Sequence, residues 1–98
     1  KRNITVEYIT EVVAEHFDIT VSDILSSKKS RNIAYPRQIC MYLCRVLTGN
    51  SQKEIGTKLG KRDHSTIIHG INKITADLKT DTALQNVVEI LKKKISPQ

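Results

Sequence analysis

Aromatic side chains are scarce in this 98-residue chain, which has no Trp, one Phe and three Tyr. Recognition of single-stranded nucleic acid rests on stacking platforms, so the scarcity argues against it. Two cysteines, Cys40 and Cys44, are too few for a disulfide framework, and their spacing of four on one helix face suits two buried thiols. With no secretory hydrophobic region either, the expected location is the cytoplasm. No apolar run approaches the roughly 20 residues of a membrane span. Strand-like alternation, internal repeats and low-complexity segments are also missing, so an all-α domain is expected. There is no G-x-x-x-x-G-K-[ST] loop, hence no ATP site in this stretch. His64 and His69 are five apart and miss the i, i+4 pair of a helical zinc site, so no metal is expected.

What is present is positive charge, unevenly placed. The net charge of +6 and pI near 9.5 point toward a polyanionic partner. Residues 1–25 hold five acids and two bases, net −3, whereas residues 26–73 hold ten bases and two acids, net +8. The remainder is net +1, so the charge is a central block rather than a tail. A chain this long builds one small core, and residues 1–98 read as one domain.

Capping signals and apolar spacing order the chain into helices. KRNI reads as a linker end, after which Thr5 caps a helix to about Phe17, with Val6, Ile9, Val13 and Phe17 inward. Its Glu7, Glu11 and Glu15 stripe must face solvent, because such neighbours repel. Thr20 and Asp23 form a capping box that opens a short helix, with Ile19, Val21, Ile24 and Leu25 toward the core. Ser26 to Pro36 has no helical period, and Pro36 should force Tyr35 extended, so a long basic loop is expected there. Pro36 then opens a third helix lined by Ile39, Cys40, Leu43, Val46 and Leu47. Leu84, Val87, Val88, Leu91 and Ile95 mark a last helix after a turn at Lys79–Asp81, with Lys92, Lys93 and Lys94 complementing its C-terminal dipole.

Between these lies the most informative stretch, Ser51 to Leu78. Ser51 and Glu54 make a second capping box, and Ile55 and Leu59 give the helix an apolar edge. Gly60 stands where a left-handed turn is needed, and Asp63 is a good N-cap type for the next helix. Ile67, Ile71, Ile74 and Leu78 repeat as one buried stripe, leaving Ser65, His69, Asn72, Lys73 and Ala76 on the opposite face. A short helix, a tight glycine turn and a longer helix with a polar, basic-flanked tip match the helix-turn-helix pattern, whose second helix enters a major groove. Arg37, Gln38 and Arg45 could hold phosphates, and the Lys28, Lys29, Arg31 loop could track the backbone or reach a minor groove.

The segments SRNIAYPRQICMYLCRVLTGNSQKEIG and LGKRDHSTIIHGINKI together resemble the C-terminal DNA-binding domain of the DnaA family, bacterial initiators of chromosome replication. The resemblance implies a Trp-repressor-like helical bundle of about six helices that binds duplex boxes of the TTATNCACA type at replication origins. It places Asp63, His64, Ser65 and Thr66 against base edges in the major groove and Lys29 in the minor groove. A carboxylate accepting from cytosine N4 or adenine N6, and a threonine methyl against thymine, are compatible with that reading. It also implies phosphate contacts for Arg31, Arg37, Gln38 and Arg45, and Lys28, Lys53, Lys61 and Arg62 are expected to contact phosphates around the same surface. Further implications are a monomeric isolated domain, oligomers of the full-length protein on DNA, a nucleoid location and ATP binding in a preceding domain.

This chain departs from the family pattern at Ser65, usually Thr; at Lys29, usually Arg; at Lys61, often Gly; and at Gly70, often Ala. A helix-interior glycine costs roughly 0.5–1 kcal/mol relative to alanine. Three other functions compete for the same residues. A helix-turn-helix transcription regulator with another operator shares every feature above. A nuclease using Asp63 and His64 around a metal lacks a second nearby carboxylate, so no enzyme is expected. An RNA or protein interaction module is disfavoured by the few aromatics.

Overall fold

The computed structural model describes residues 3–97, and among them the chain forms six α-helices and no strand. They are α1 (Val6–Phe17), α2 (Val21–Leu25), α3 (Arg31–Thr48), α4 (Gln52–Lys58), α5 (His64–Asp77) and α6 (Thr82–Ile95). The starts of α1, α2 and α4 are those the sequence marks by capping, and α6 opens on a cap, Asp81, that the sequence reading placed in a turn. Thr5 Oγ1 accepts from the Tyr8 N–H at 3.0 Å and Asp81 Oδ1 from that of Leu84 at 2.9 Å, while Thr20–Asp23 and Ser51–Glu54 are complete capping boxes. Each satisfies donors that the first turn would otherwise leave orphaned.

Helix α3 runs through the middle and packs on α1, α2, α4 and α5, while α6 closes the far side of α1. One core results, built on Ile9, Val13, Ile24, Ile39, Leu43, Ile55, Leu59, Ile67, Ile74 and Leu91, all fully buried. Cys40 and Cys44 are free thiols inside it, their sulfurs 4.0 Å apart. The stripe Ile67, Ile71 and Ile74 fastens α5 onto α3 and α4, so the opposite face of α5 is held outward.

Helix α3 corrects the sequence reading. It begins at Arg31, and the loop before it is only residues 26–30. Tyr35 is helical, and Pro36 lies in the second turn rather than at the start. Local preference yields here to packing. The Ser30 carbonyl accepts from the N–H groups of Ile33 and Ala34 at 3.0 and 2.8 Å, Ile33 and Pro36 are buried, and the Arg31 guanidinium sits 4.5 Å from the Tyr35 ring centre. Proline costs this helix one donor, the one that would reach the carbonyl of Asn32, an exposed residue. Two apolar expectations also fail: Leu25 is 37% exposed and Val46 47%, each turned outward by the rotation of its helix.

Candidate nucleic-acid interface

Helices α4 and α5 meet through a turn that glycine makes possible. Gly60 has φ +83 and Lys61 φ +58, both left-handed, and the Arg62 N–H returns to the Gly56 carbonyl at 2.8 Å. The Arg62 backbone lies so close to Gly56 that no Cβ fits there, which lets the turn fold back over α4. Its product is a start for α5 that stands clear of the core. Asp63, His64, Ser65 and Thr66 are all exposed, whereas Ile67, the next residue, is fully buried.

Asp63 behaves differently from the other helix-starting residues. It occupies the N-cap position with ψ 146, yet its side chain makes no capping hydrogen bond. The expectation that its carboxylate caps α5 is therefore corrected: the Asp63 carbonyl takes the N–H groups of Thr66 and Ile67, and the carboxylate bonds neither. A carboxylate left uncommitted at a protruding helix tip is an acceptor for an outside donor. Lys53, Thr57, Lys61, Arg62, Asp63 and His64 line one open groove at this tip. Thr57 is the residue the sequence reading missed; its position one turn after Lys53 on the exposed side of α4 was the available signal.

The positive block is sorted by the fold. Lys58 pairs with Glu7 at 3.2 Å and Lys73 with Asp77 at 3.0 Å, so neither is a free cation. Lys28 pairs with Asp23 at 2.8 Å while remaining largely exposed. Lys29, Lys53 and Lys61 are exposed and carry no ion pair among the described residues. Arg31 is exposed over Tyr35, and Arg45 is exposed and donates to the Asn50 carbonyl at 3.0 Å. Gln38 is half-buried, its side chain packed beside Gly70 of α5.

Arg37 is the main correction among the site residues. Expected on a phosphate, it is only 6% exposed. Its Nε donates to the Ile24 carbonyl at 2.7 Å, Nη1 to that of Lys28 at 2.8 Å and Nη2 to that of Asp23 at 3.0 Å. These are two carbonyls at the C-terminal end of α2 and one from the basic loop, groups that lack intrahelical donors; Asp23 also accepts from Ser26. Burial lowers the Arg37 pKa, and the adjacent Arg62 charge adds to that effect. The sequence showed an arginine near a helix start, but not that the loop before it would fold back onto the guanidinium.

Comparison with known proteins follows the same outline. A family model described as the bacterial DnaA protein helix-turn-helix matches residues 6–74. The chromosomal replication initiator protein DnaA of Lachnoclostridium phytofermentans is 54% identical over 97 residues, covering 99% of this chain and 21% of that protein. Its counterpart from Geotalea uraniireducens is 48% identical over 94 residues, covering 96% of this chain and again 21% of the relative. A crystal structure described as a DNA replication initiation factor superposes with a TM-score of 0.83 at 33% identity, over 92% of this chain and 27% of that one. The chain thus spans about a fifth of the length of the curated relatives it matches. With most of its length inside the family model and half its residues shared with such a relative, the chain belongs to the bacterial DnaA helix-turn-helix family.

Proposed function

We propose that this chain binds double-stranded DNA in a sequence-specific way, at boxes of the TTATNCACA type, as the DNA-reading part of a chromosomal replication initiator. Helix α5 enters the major groove tip first, and the loop at residues 26–30 lies toward the minor groove. The observation that carries this reading is the tip itself: Asp63, His64, Ser65 and Thr66 stand exposed, the Asp63 carboxylate uncommitted, on a helix whose other side is locked into the core. Family membership supports it, since the curated relatives are named as replication initiators.

In this reading Asp63 accepts from a base amino group, Ser65 and Thr66 bond base edges, and the Thr66 methyl meets a thymine methyl. His64 flanks them at the rim. Lys28, Lys29, Arg31, Arg45, Lys53 and Lys61 supply charge to the backbones, with Gln38 at the edge of the same surface. With Arg37 inside the protein, about six cations remain, so log affinity should fall against log salt with a slope of roughly −5. The chain works without catalysis and as a monomer when isolated. Oligomers on DNA, ATP binding and a place on the cytoplasmic nucleoid belong to the full-length protein.

Fluorescence anisotropy on a TTATNCACA duplex and a shuffled duplex, at several salt concentrations, tests this directly. The box should bind at ~10⁻⁸ M or tighter and the shuffled duplex at least about a thousandfold more weakly. Thr66→Ala should cost about 1–3 kcal/mol on the box alone; equal losses on both duplexes would remove the base-reading role. Labelled duplex should survive incubation with magnesium or manganese uncut.

A further inference from the structure

The loop at residues 26–30 exposes the side chains of Ser27, Lys28, Lys29 and Ser30, yet its backbone is held from two directions. Arg37 takes Asp23, Ile24 and Lys28 carbonyls from the α3 side. Arg62, at the entrance of α5, takes the Ser26 carbonyl through Nη2 and the Leu59 carbonyl through Nη1. Ser26 and Arg62 are 36 residues apart, and these two hydrogen bonds join three things: the basic loop, the end of α4 and the start of α5. The guanidinium is partly buried, and that burial lowers its pKa.

We infer that Arg62 is a positioning residue for DNA recognition rather than a phosphate ligand: it sets the distance between Lys29 and the Asp63–Thr66 tip, so that loop and recognition helix meet two grooves as one body. This rests on the duplex-binding reading above. Both Nη groups are already engaged with carbonyls, whereas Lys53 and Lys61 beside them are exposed and unpaired among the described residues. The planar fork matters because it holds two carbonyls of separate segments at a fixed spacing, which a single ammonium on a flexible stem does not. An unanchored loop would have to be ordered at each binding event, and that ordering lowers affinity.

The test is a double-mutant cycle of Arg62→Lys and Lys29→Ala, read as dissociation constants on the TTATNCACA and shuffled duplexes over a salt series. Arg62→Lys should weaken the box by roughly tenfold, the size of one lost base contact, with little loss on the shuffled duplex and an unchanged salt slope. Lys29→Ala should cost much less in the Arg62→Lys background than in the native chain, because the loop is already displaced. Undiminished box affinity in Arg62→Lys would overturn the inference. So would a loss equal on both duplexes, or a Lys29→Ala effect of the same size in both backgrounds. A native chain that fails to separate box from shuffled DNA would instead sink the duplex-binding reading beneath it. Should Arg62→Lys not fold, NMR of the native chain decides: the Arg62 guanidinium protons should keep their shifts when box DNA is added, and a large change on binding would mean it moves to a phosphate.

Discussion

The sulfur of Met41 lies 2.5 Å from where a Cβ on Gly70 would stand, so α3 occupies the space an alanine of α5 would need. Met41 is 2% exposed and close-packed, so the glycine is matched to its neighbour rather than merely tolerated. Gly70→Ala gains up to about 1 kcal/mol of helix propensity but forces Met41 aside at roughly 1–3 kcal/mol, for a net loss near 1 kcal/mol. In a Met41→Ala background the same change should stabilise. Urea denaturation of the four proteins checks the reversal of sign.

Lys61 adopts a left-handed backbone, φ +58, without being glycine. Relieving that conformation in Lys61→Gly should raise stability by roughly 1 kcal/mol. The same change removes an exposed cation at the groove, so the salt slope should shallow by about one on every duplex. Stability and affinity moving in opposite directions is the signature to look for in paired melting and anisotropy measurements.

Asp63 and Ser51 both precede a helix, but only Ser51 caps, accepting the Glu54 N–H at 3.1 Å. Ser51→Ala should therefore cost about 1 kcal/mol of stability, and Asp63→Ala less than about 0.5. On box DNA the order should reverse, with Asp63→Ala the costlier. Comparable stability losses would mean that the carboxylate caps α5 in solution.

Removing Arg37 takes a donor from three carbonyls, those of Asp23, Ile24 and Lys28, of which, among the described residues, Asp23 alone keeps others, the N–H and hydroxyl of Ser26. Arg37→Ala should destabilise by about 2–4 kcal/mol, and Arg37→Lys should recover only part of this because it cannot span all three. Chemical denaturation reads it out. Native-like stability in Arg37→Ala would show the guanidinium to be dispensable to the fold.

Acid should weaken the protein through its capping carboxylates. The Ser51 backbone N–H holds Glu54 below its ordinary 4.5, and Lys28, with the Thr20 backbone, holds Asp23 below its ordinary 3.8. A pKa depressed by folding contributes stability that is complete above the unfolded value and lost as pH falls through the folded one. The share of the urea midpoint that these two carboxylates supply should then be flat above about pH 5 and decline below it, whereas His16, held below its ordinary 6.5 by burial and by Lys94, adds a decline that starts below about pH 6.5. A double variant, Asp23→Asn with Glu54→Gln, should decline less steeply, and an equally steep fall would point to other carboxylates.

The six helices, the caps of α1, α2 and α4 and the polar tip of α5 were readable from the chain because each is a local event. A hydroxyl three residues before a carboxylate, an isoleucine every turn and a glycine at a left-handed position act within a few residues of themselves. The start of α3, the burial of Arg37, the loose carboxylate of Asp63 and the tether from Arg62 to Ser26 were not. Each depends on what a distant segment brings alongside: α2 and the loop folding back onto a guanidinium, or buried Ile33 and Pro36 holding Tyr35 helical against its local preference. Sequence pattern determined that this protein is a helix-turn-helix bundle with a basic middle. Tertiary packing decided that Arg37 and Arg62 turn inward, because only the assembled fold brings the carbonyls that take up their guanidinium donors.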